Sequence, residues 1–273
     1  MDDIARINRE TFTREKAEGK YWTLPKLDLD VAAFAACRSG EGPLPAPFGD
    51  DPVDRLMMAG VCGKKILLLA GGGGQQSAVF SLLGASVTVF DVTPSQLEGD
   101  AAAAAHYGYS VDLIEGDMRD LSCLPSAHFD RVYQPPSIFC VPDLKEVFAG
   151  VYRVLKPAGL YFLAISFPIL QIANDIHWDG EAYSLRIASP YRRGAVLEDN
   201  AGYMSLSKGT FLGEFHHLLS DVINGLLESG FCLRGLWECP RPDSAIDLEK
   251  LQPGSEEHQD QFIPYGLSAV VER

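Results

Sequence analysis

An α/β fold built on a doubly wound, mostly parallel sheet is predicted for this 273-residue chain by three observations. An unbroken apolar run, Ile66–Leu69, meets a four-glycine turn, Gly71–Gly74, and continues into a helical pattern. A second β-type run, Ser86–Phe90, ends in Asp91, twenty residues after Gly71. Strand and helix patterns then alternate as far as Ser166, which is the signature of a parallel sheet with helices on both faces. A run that is apolar at every position suits a central strand covered on both sides. Glycines directly behind it let the backbone turn sharply and come close to a ligand. The helix that follows is expected to aim its N-terminal amides into the same space, favouring a carboxylate, a phosphate or hydroxyls. An acid at the end of the second strand stands where a Rossmann-type unit accepts the two hydroxyls of a ribose.

Residues 1–55 precede this unit as a helical arm or cap. Ile4–Lys20 reads as a polar helical arm leading to Tyr21-Trp22, and Val31–Cys37 as a short apolar helix. Pro43, Pro45, Pro47 and Pro52 make Glu41–Pro52 an extended connection, and Asp54–Ala59 a short helix. Residues 56–167 form the Rossmann-like core. Strand Lys65–Ala70 leads to helix Gln75–Leu83, stopped by Gly84. Strand Ser86–Phe90 leads to helix Ser95–Tyr107, with Ser95 as N-cap and Gly108 as the stop. Strand Ser110–Glu115 runs into Gly116-Asp117-Met118. Strand Arg131–Gln134, helix Leu144–Leu155, the turn Pro157–Gly159 and strand Leu160–Ser166 complete the alternation. Residues 168–214 break it. Their aromatics, set among Gly and Pro, read as an insertion covering the crevice, with short antiparallel strands at Glu181–Ile187 and Tyr203–Lys208. Residues 215–273 return to the sheet through helix Phe215–Ser229 and strand Phe231–Glu238. A polar stretch then separates these from Ile263–Val271, the antiparallel last of seven strands. Ligands in such sheets bind outside the carboxyl ends of the strands. Gly71–Gly74, Asp91, Asp117-Met118 and Gln134–Phe139 all fall there.

Composition narrows the function classes. Hydrophobic content of 47% supports a full core and argues against disorder. A formal charge of −14, with no long Lys/Arg cluster, opposes binding to a phosphate backbone, so nucleic acid is not expected as a partner. The six cysteines are scattered without a C-x-x-C pair, which points to reduced thiols in the core and to no metal site. Neither a basic-apolar leader nor a run of membrane-spanning length is visible, and a cytoplasmic monomer or homodimer is expected.

Taken together the motifs resemble those of the class I S-adenosylmethionine-dependent methyltransferases of the small-molecule type, the type 11 and 25 group. The resemblance covers residues 60–170 well and the remainder more loosely. Leu67-Leu68-Leu69-Ala70-Gly71-Gly72-Gly73-Gly74 stands at the family's first motif, hydrophobic-acid-hydrophobic-G-x-G-x-G, with Leu68 in place of the acid and Ala70 in place of the first glycine. Gly116-Asp117-Met118 looks like the adenine motif, and Phe129–Gln134 like the fourth strand. Arg153-Val154-Leu155-Lys156-Pro157 with Gly159 is similar to the family's "RVLKPGG" turn. The resemblance implies S-adenosylmethionine as cofactor, S-adenosylhomocysteine as product, and a small-molecule methyl acceptor. It implies cofactor contacts at Ala70, Gly71, Gly72 and Gly73, and at Asp91 with Val92 and Gln96 behind it. Asp117 and Met118 would take the adenine, Gln134 would face the methionine part, and Tyr21 would close over the cofactor from the arm.

The residues themselves agree on physical grounds. Adenine needs an acceptor for its amine and a flat apolar wall, which an Asp next to a Met supplies. Each residue also has a plainer reading. Asp91 could be a solvated strand end, Asp117 a helix N-cap, Gln134 a loop amide against Pro135, and Tyr21-Trp22 core aromatics of the cap. His216 and His217 open the late helix and point in different directions; the resemblance singles out His216, which is either a packing residue or the general base for an acceptor proton. A nicotinamide-dependent oxidoreductase would want G-x-G-x-x-G, but its third glycine position falls here on Gln76 or Ser77. A protein that binds S-adenosylmethionine without methylating is the other alternative.

Overall fold

Ile66, Leu67, Leu68 and Leu69 are fully buried, and their alternation divides the core between the two faces of one sheet. The coordinates are a computed structural model describing residues 2–45, 52–187, 190–192, 215–239 and 250–273. Ahead of the sheet lie α1 (Asp3–Ala17), α2 (Val31–Ser39) and α3 (Pro52–Met58). β1 (Lys65–Leu69), α4 (Gln76–Leu82), β2 (Ser86–Asp91), α5 (Pro94–Tyr107) and β3 (Val111–Glu115) form one winding direction. β4 (Phe129–Gln134), α6 (Lys145–Val154) and β5 (Leu155–Ser166) form the other. The strand order is β3-β2-β1-β4-β5-β9-β8, where β8 is Cys232–Cys239 and β9 is Gly266–Glu272. β9 is antiparallel to both neighbours and is inserted between β5 and the edge strand β8. The winding direction reverses between β1 and β4, so the crevice for a ligand opens there.

Leu67 and Leu69 pack with Val132, Tyr161, Phe148 and Phe231 on the face covered by α6 and by α7 (Leu219–Glu228). Ile66 and Leu68 pack with Phe80, Val79 and Phe34 on the face covered by α4 and α2. Leu68 is therefore an ordinary core residue, which accounts for an apolar side chain at that motif position.

The structure moves several expected boundaries. α5 starts at Pro94 with Thr93 as its N-cap, so Ser95 lies inside the first turn; Pro at the first helical position presets the backbone there. β5 begins at Leu155 and runs through Pro157–Gly159 as an irregular stretch, with Ala158 at φ +61°, instead of turning there. α7 starts at Leu219 and not at Phe215, because the Phe215 amide bonds to the Phe139 carbonyl at 2.7 Å and residues 215–218 run extended into the helix. In the insertion, β7 (Tyr183–Ile187) pairs with β6 (Ala173–Trp178). The proposed partner Tyr203–Lys208 lies outside the described residues. Trp178 and Tyr183 pack with His258 and Phe262, tying this hairpin to α8 (Glu256–Asp260), and the Tyr183 hydroxyl lies 2.7 Å from His258 Nδ1.

Candidate active site

At the end of β1 the chain enters the turn through Ala70, a non-glycine residue at φ +48°. Its amide bonds to the Phe90 carbonyl at 2.8 Å, continuing the β1–β2 ladder into the turn. Gly72, Gly73 and Gly74 then pass so close to β2 and α5 that side chains are excluded. A Cβ on Gly72 would meet Gln96 Cβ at 2.7 Å, and one on Gly74 would meet the Gly99 carbonyl oxygen at 2.4 Å. The amides of this turn are taken up by two carboxylates. Gly72 N–H donates to Asp91 Oδ2 at 3.0 Å, and Gly73 and Gly74 N–H donate to Asp100 Oδ2 and Oδ1 at 2.9 and 3.1 Å.

Asp91 is 7% exposed, and its Oδ1 also accepts from Thr93 N–H at 2.8 Å. Burial raises its pKa above the usual carboxylate range, while the Thr93 and Gly72 bonds pull it down. Each oxygen accepts one amide N–H, which leaves lone pairs for two further donors such as a diol.

The cleft at the strand ends is lined by Ala70, Phe90, Asp91, Val92, Gly116, Asp117, Met118 and Val141, with Ala5 and Asn8 of α1 above it. Five expected residues thus come together there: Ala70, Asp91, Val92, Asp117 and Met118. Gly71, Gly72 and Gly73 shape the turn beside them. Asp117 is bound by Arg119, whose Nε and Nη2 donate to its carboxylate at 3.0 and 2.5 Å. The same guanidinium donates to both oxygens of Asp2, the N-cap of α1, at 2.8 Å, and it holds the Asp2 carboxyl well below the usual range. Arg119 therefore links the floor of the cleft to the start of the helix that covers it.

The rest of α1 is fastened along the same line. Asn8 Nδ2 donates to the Cys140 carbonyl at 2.9 Å, Arg9 pairs with Glu115 at 2.6 Å, and Lys16 donates to the Ser95 carbonyl. Gln96, an expected cofactor residue, sits behind the turn. Its amide nitrogen donates to the Phe12 carbonyl at 3.3 Å, and its buried Oε1 has no partner among the described residues. The Tyr21 ring is 77% exposed, and Tyr21 meets the turn through its carbonyl, which accepts from Gln75 Nε2 at 2.9 Å. Gln134 is fully buried and committed: Nε2 donates to Ser137 Oγ at 3.0 Å, and Oε1 accepts from the Tyr161 hydroxyl. Met118 Sδ, 3.3 Å from Gln134 Nε2, joins this network to the cleft wall.

His216 lies in the extended segment ahead of α7, beside the loop that follows β4. It is 2% exposed, and neither ring nitrogen has a partner among the described residues. Burial lowers its pKa, so the ring is neutral at pH 7. Its neighbour His217 is a strut, with Nε2 at 3.1 and 2.9 Å from the Ile138 and Val141 carbonyls. Sequence reasoning did not single out Asp2, Asn8, Asp100 or Arg119. Asp100 alone left a signal, as an acid on the buried stripe of α5 with Leu97 and Ala104.

The family model of the Methyltransferase domain matches residues 67–163, which run from β1 into β5 and carry the turn, Asp91, Asp117, Met118 and Gln134. An uncharacterized methyltransferase, YbaJ, of Bacillus subtilis is 27% identical over 239 residues, covering 87% of this chain and 91% of that protein. The ubiquinone/menaquinone biosynthesis C-methyltransferase UbiE of Methylobacterium nodulans is 30% identical over 157 residues, 54% of this chain and 60% of the relative. The crystal structure of an S-adenosylmethionine-dependent methyltransferase from Mesorhizobium loti shares the fold, with a TM-score of 0.63 at 21% identity over 81% of this chain and 96% of that one. These matches set aside the nicotinamide oxidoreductase alternative. With its strand order, its glycine turn and the domain matched over residues 67–163, the chain carries a Methyltransferase domain in a fold shared with S-adenosylmethionine-dependent methyltransferases.

Proposed function

We propose that this methyltransferase acts on a small-molecule acceptor, held in the crevice between α1, the strand ends and the insertion. The observation that carries the reading is the covered cleft. α1 lies over the Asp91, Asp117 and Met118 strand ends, leaving a narrow, enclosed space in place of an open groove for a polymer. The charge of −14 supports the exclusion of nucleic acid. The UbiE relative is named for a C-methyltransferase of quinone biosynthesis, which agrees with a small acceptor. Among the described residues no helix is long and apolar enough to cross a membrane, and we place the enzyme in the cytoplasm as a monomer or homodimer.

S-adenosylmethionine supplies an electrophilic methyl group on a sulfonium. Asp91 would hold the ribose hydroxyls through the lone pairs left by Gly72 and Thr93. Asp117, whose carboxylate Arg119 also engages, would take the adenine amine, and Met118 would pack against the ring. Ala70 and Gly71–Gly73, with Val92 at the cleft wall, shape the floor, while Gln96 and Tyr21 support the turn from behind and above. Gln134, locked by Tyr161 and Ser137, fixes the end of β4 that faces the reacting centre. α1 excludes water, so the main contribution of the protein is alignment of acceptor and methyl group. For an acceptor carrying a proton, a neutral His216 takes it at a ring nitrogen.

The test is a panel of small metabolites incubated with enzyme and S-adenosylmethionine, read by mass for a 14-dalton gain. A methylated protein or nucleic acid with no methylated metabolite would overturn the acceptor class. Asp91→Ala checks the cofactor site. It is expected to weaken S-adenosylhomocysteine binding by about 1.5–3 kcal/mol, the scale of hydrogen bonds to a charged group; unchanged calorimetric affinity in the folded variant would move the ribose elsewhere.

A further inference from the structure

Asp100 is fully buried in the second turn of α5 and has no part in the contacts assigned to the cofactor. A carboxylate in such a place costs several kcal/mol unless its oxygens are well bonded. Here three donors converge on it. Oδ2 accepts from Gly73 N–H at 2.9 Å, while Oδ1 accepts from Gly74 N–H at 3.1 Å and from Ser77 Oγ at 2.5 Å. Two of these donors belong to the glycine turn, and the third lies in the first turn of α4. The approach that allows this is backbone on backbone. A Cβ on Gly99 would meet the Gly73 carbonyl oxygen at 2.7 Å, as one on Gly74 would meet that of Gly99. Gly73 and Gly74 hold φ of +122° and +83°, conformations that a turn of this shape needs and that free glycines are not obliged to keep. Leu68, buried in the apolar cluster with Phe80, cannot supply an acceptor from the β1 side.

We infer that Asp100 is a positioning residue for the cofactor: its carboxylate draws the Gly73 and Gly74 amides onto α5 and so sets the turn against which S-adenosylmethionine is held. The inference rests on the reading that this turn floors the cofactor site. Asp100 does not touch the cofactor; it acts through the turn. All three donors favour the anion, so protonation of Asp100 withdraws an acceptor from the turn. The groups that face it are few. Asp91 stands across the turn at the end of β2, and the Tyr109 hydroxyl, beyond α5, lies 3.4 Å from Ser77 Oγ. From α1, Lys16 reaches only the outer first turn of α5, at Ser95 and Glu98. Burial, and secondarily the Asp91 charge, push the Asp100 carboxyl up to about 6 against the pull of its donors. Cofactor affinity accordingly falls as pH drops through about 6.

The experiment is calorimetric titration of the full chain with S-adenosylhomocysteine between pH 5 and 8, for wild type, Asp100→Asn, Ser77→Ala and Asp91→Ala. Asp100→Asn, folded by its thermal melt, is expected to bind at least tenfold more weakly at pH 7.5 and to lose part of the acid fall in affinity. Ser77→Ala removes a donor that lowers the Asp100 pKa. It is expected to bind a few-fold more weakly, with the acid fall displaced to higher pH. If Asp91→Ala weakens binding while Asp100→Asn stays within twofold of wild type, the inference fails and the site reading stands. If neither variant weakens binding, both fail. Should Asp100→Asn not fold, Ser77→Ala decides, and wild-type affinity with an unmoved acid fall overturns the inference.

Discussion

Ala70 is the residue at which the turn departs furthest from ordinary backbone. At φ +48° an alanine carries the left-handed penalty that a glycine escapes, of roughly 1–2 kcal/mol. Ala70→Gly is therefore expected to stabilise the protein by about 1 kcal/mol, less the added freedom of the unfolded chain, as read from denaturant melts. A loss of stability would mean that the Ala70 methyl packs better than its backbone suffers. His216 poses a different question at the same scale. Its depressed pKa keeps the ring neutral, and a general base is active only when neutral. A rate limited by His216 rises with pH below 6.5, the ordinary histidine value, and is flat above it. His216→Gln is expected to cut turnover by roughly 10²–10⁴ with cofactor affinity kept. Normal turnover in that variant would leave positioning as the whole of catalysis.

Among the elements, α1 covers the cleft, and beside its buried Ala5 and Thr11 and the packing of Phe12 on the core it is fastened by charged and polar pairs. Arg119 bridges Asp2 and Asp117, Arg9 meets Glu115, and Lys16 meets Ser95. Partly exposed pairs of this kind contribute little each, commonly under about 1 kcal/mol. Ties of this size leave α1 less firmly held than the sheet it lies on. Asp2→Asn keeps a side chain able to cap α1 through the Ala5 amide but weakens the tie to Arg119. The expected result is faster hydrogen exchange along α1, with a global melting temperature close to wild type. A large drop in melting temperature would instead make α1 part of the cooperative core. The hairpin β6–β7 is held quite differently, by the packed rings of Trp178, Tyr183, His258 and Phe262.

Over the whole molecule, buried titratable groups pull stability in opposite directions with pH. Asp100 has its folded pKa raised, to about 6 from 3.8, so the native state binds more protons than the unfolded chain between those values. Its contribution is present below about pH 4 and is lost as pH rises through about 6. His216 and His217 have lowered folded pKa values, so the unfolded chain binds more protons below about pH 6.5, and their contribution is lost on acidification. Asp100→Asn separates the two. The difference in unfolding free energy between wild type and variant is expected to fall by about 2.4 kcal/mol from pH 4 to pH 7, a little under two pKa units at 1.36 kcal/mol each because the unfolded carboxyl is already partly ionised at pH 4. A pH-independent difference would show that Asp100 does not titrate in the folded protein.

The sequence by itself determined the strand–helix alternation, the sheet class and which strand ends meet, because burial on both faces and glycine stops are written in local pattern. Ile66–Leu69, the Gly71–Gly74 turn, Asp91 and Asp117-Met118 were legible for that reason, and five of the expected residues line one cleft. What only the tertiary structure decided depends on partners far away in the chain. The turn amides go to Asp91 and Asp100 because these two buried acids lie within hydrogen-bond reach of them. The Phe215 amide, bonded to the Phe139 carbonyl, delays α7 to Leu219 and puts His216 in a buried extended segment, where periodicity had placed a helix. Gln134 turns into the core because Tyr161 offers it a hydroxyl. Arg119 reads as one basic residue in a loop until folding sets it between Asp2 and Asp117, a pairing across more than a hundred residues that no local pattern encodes.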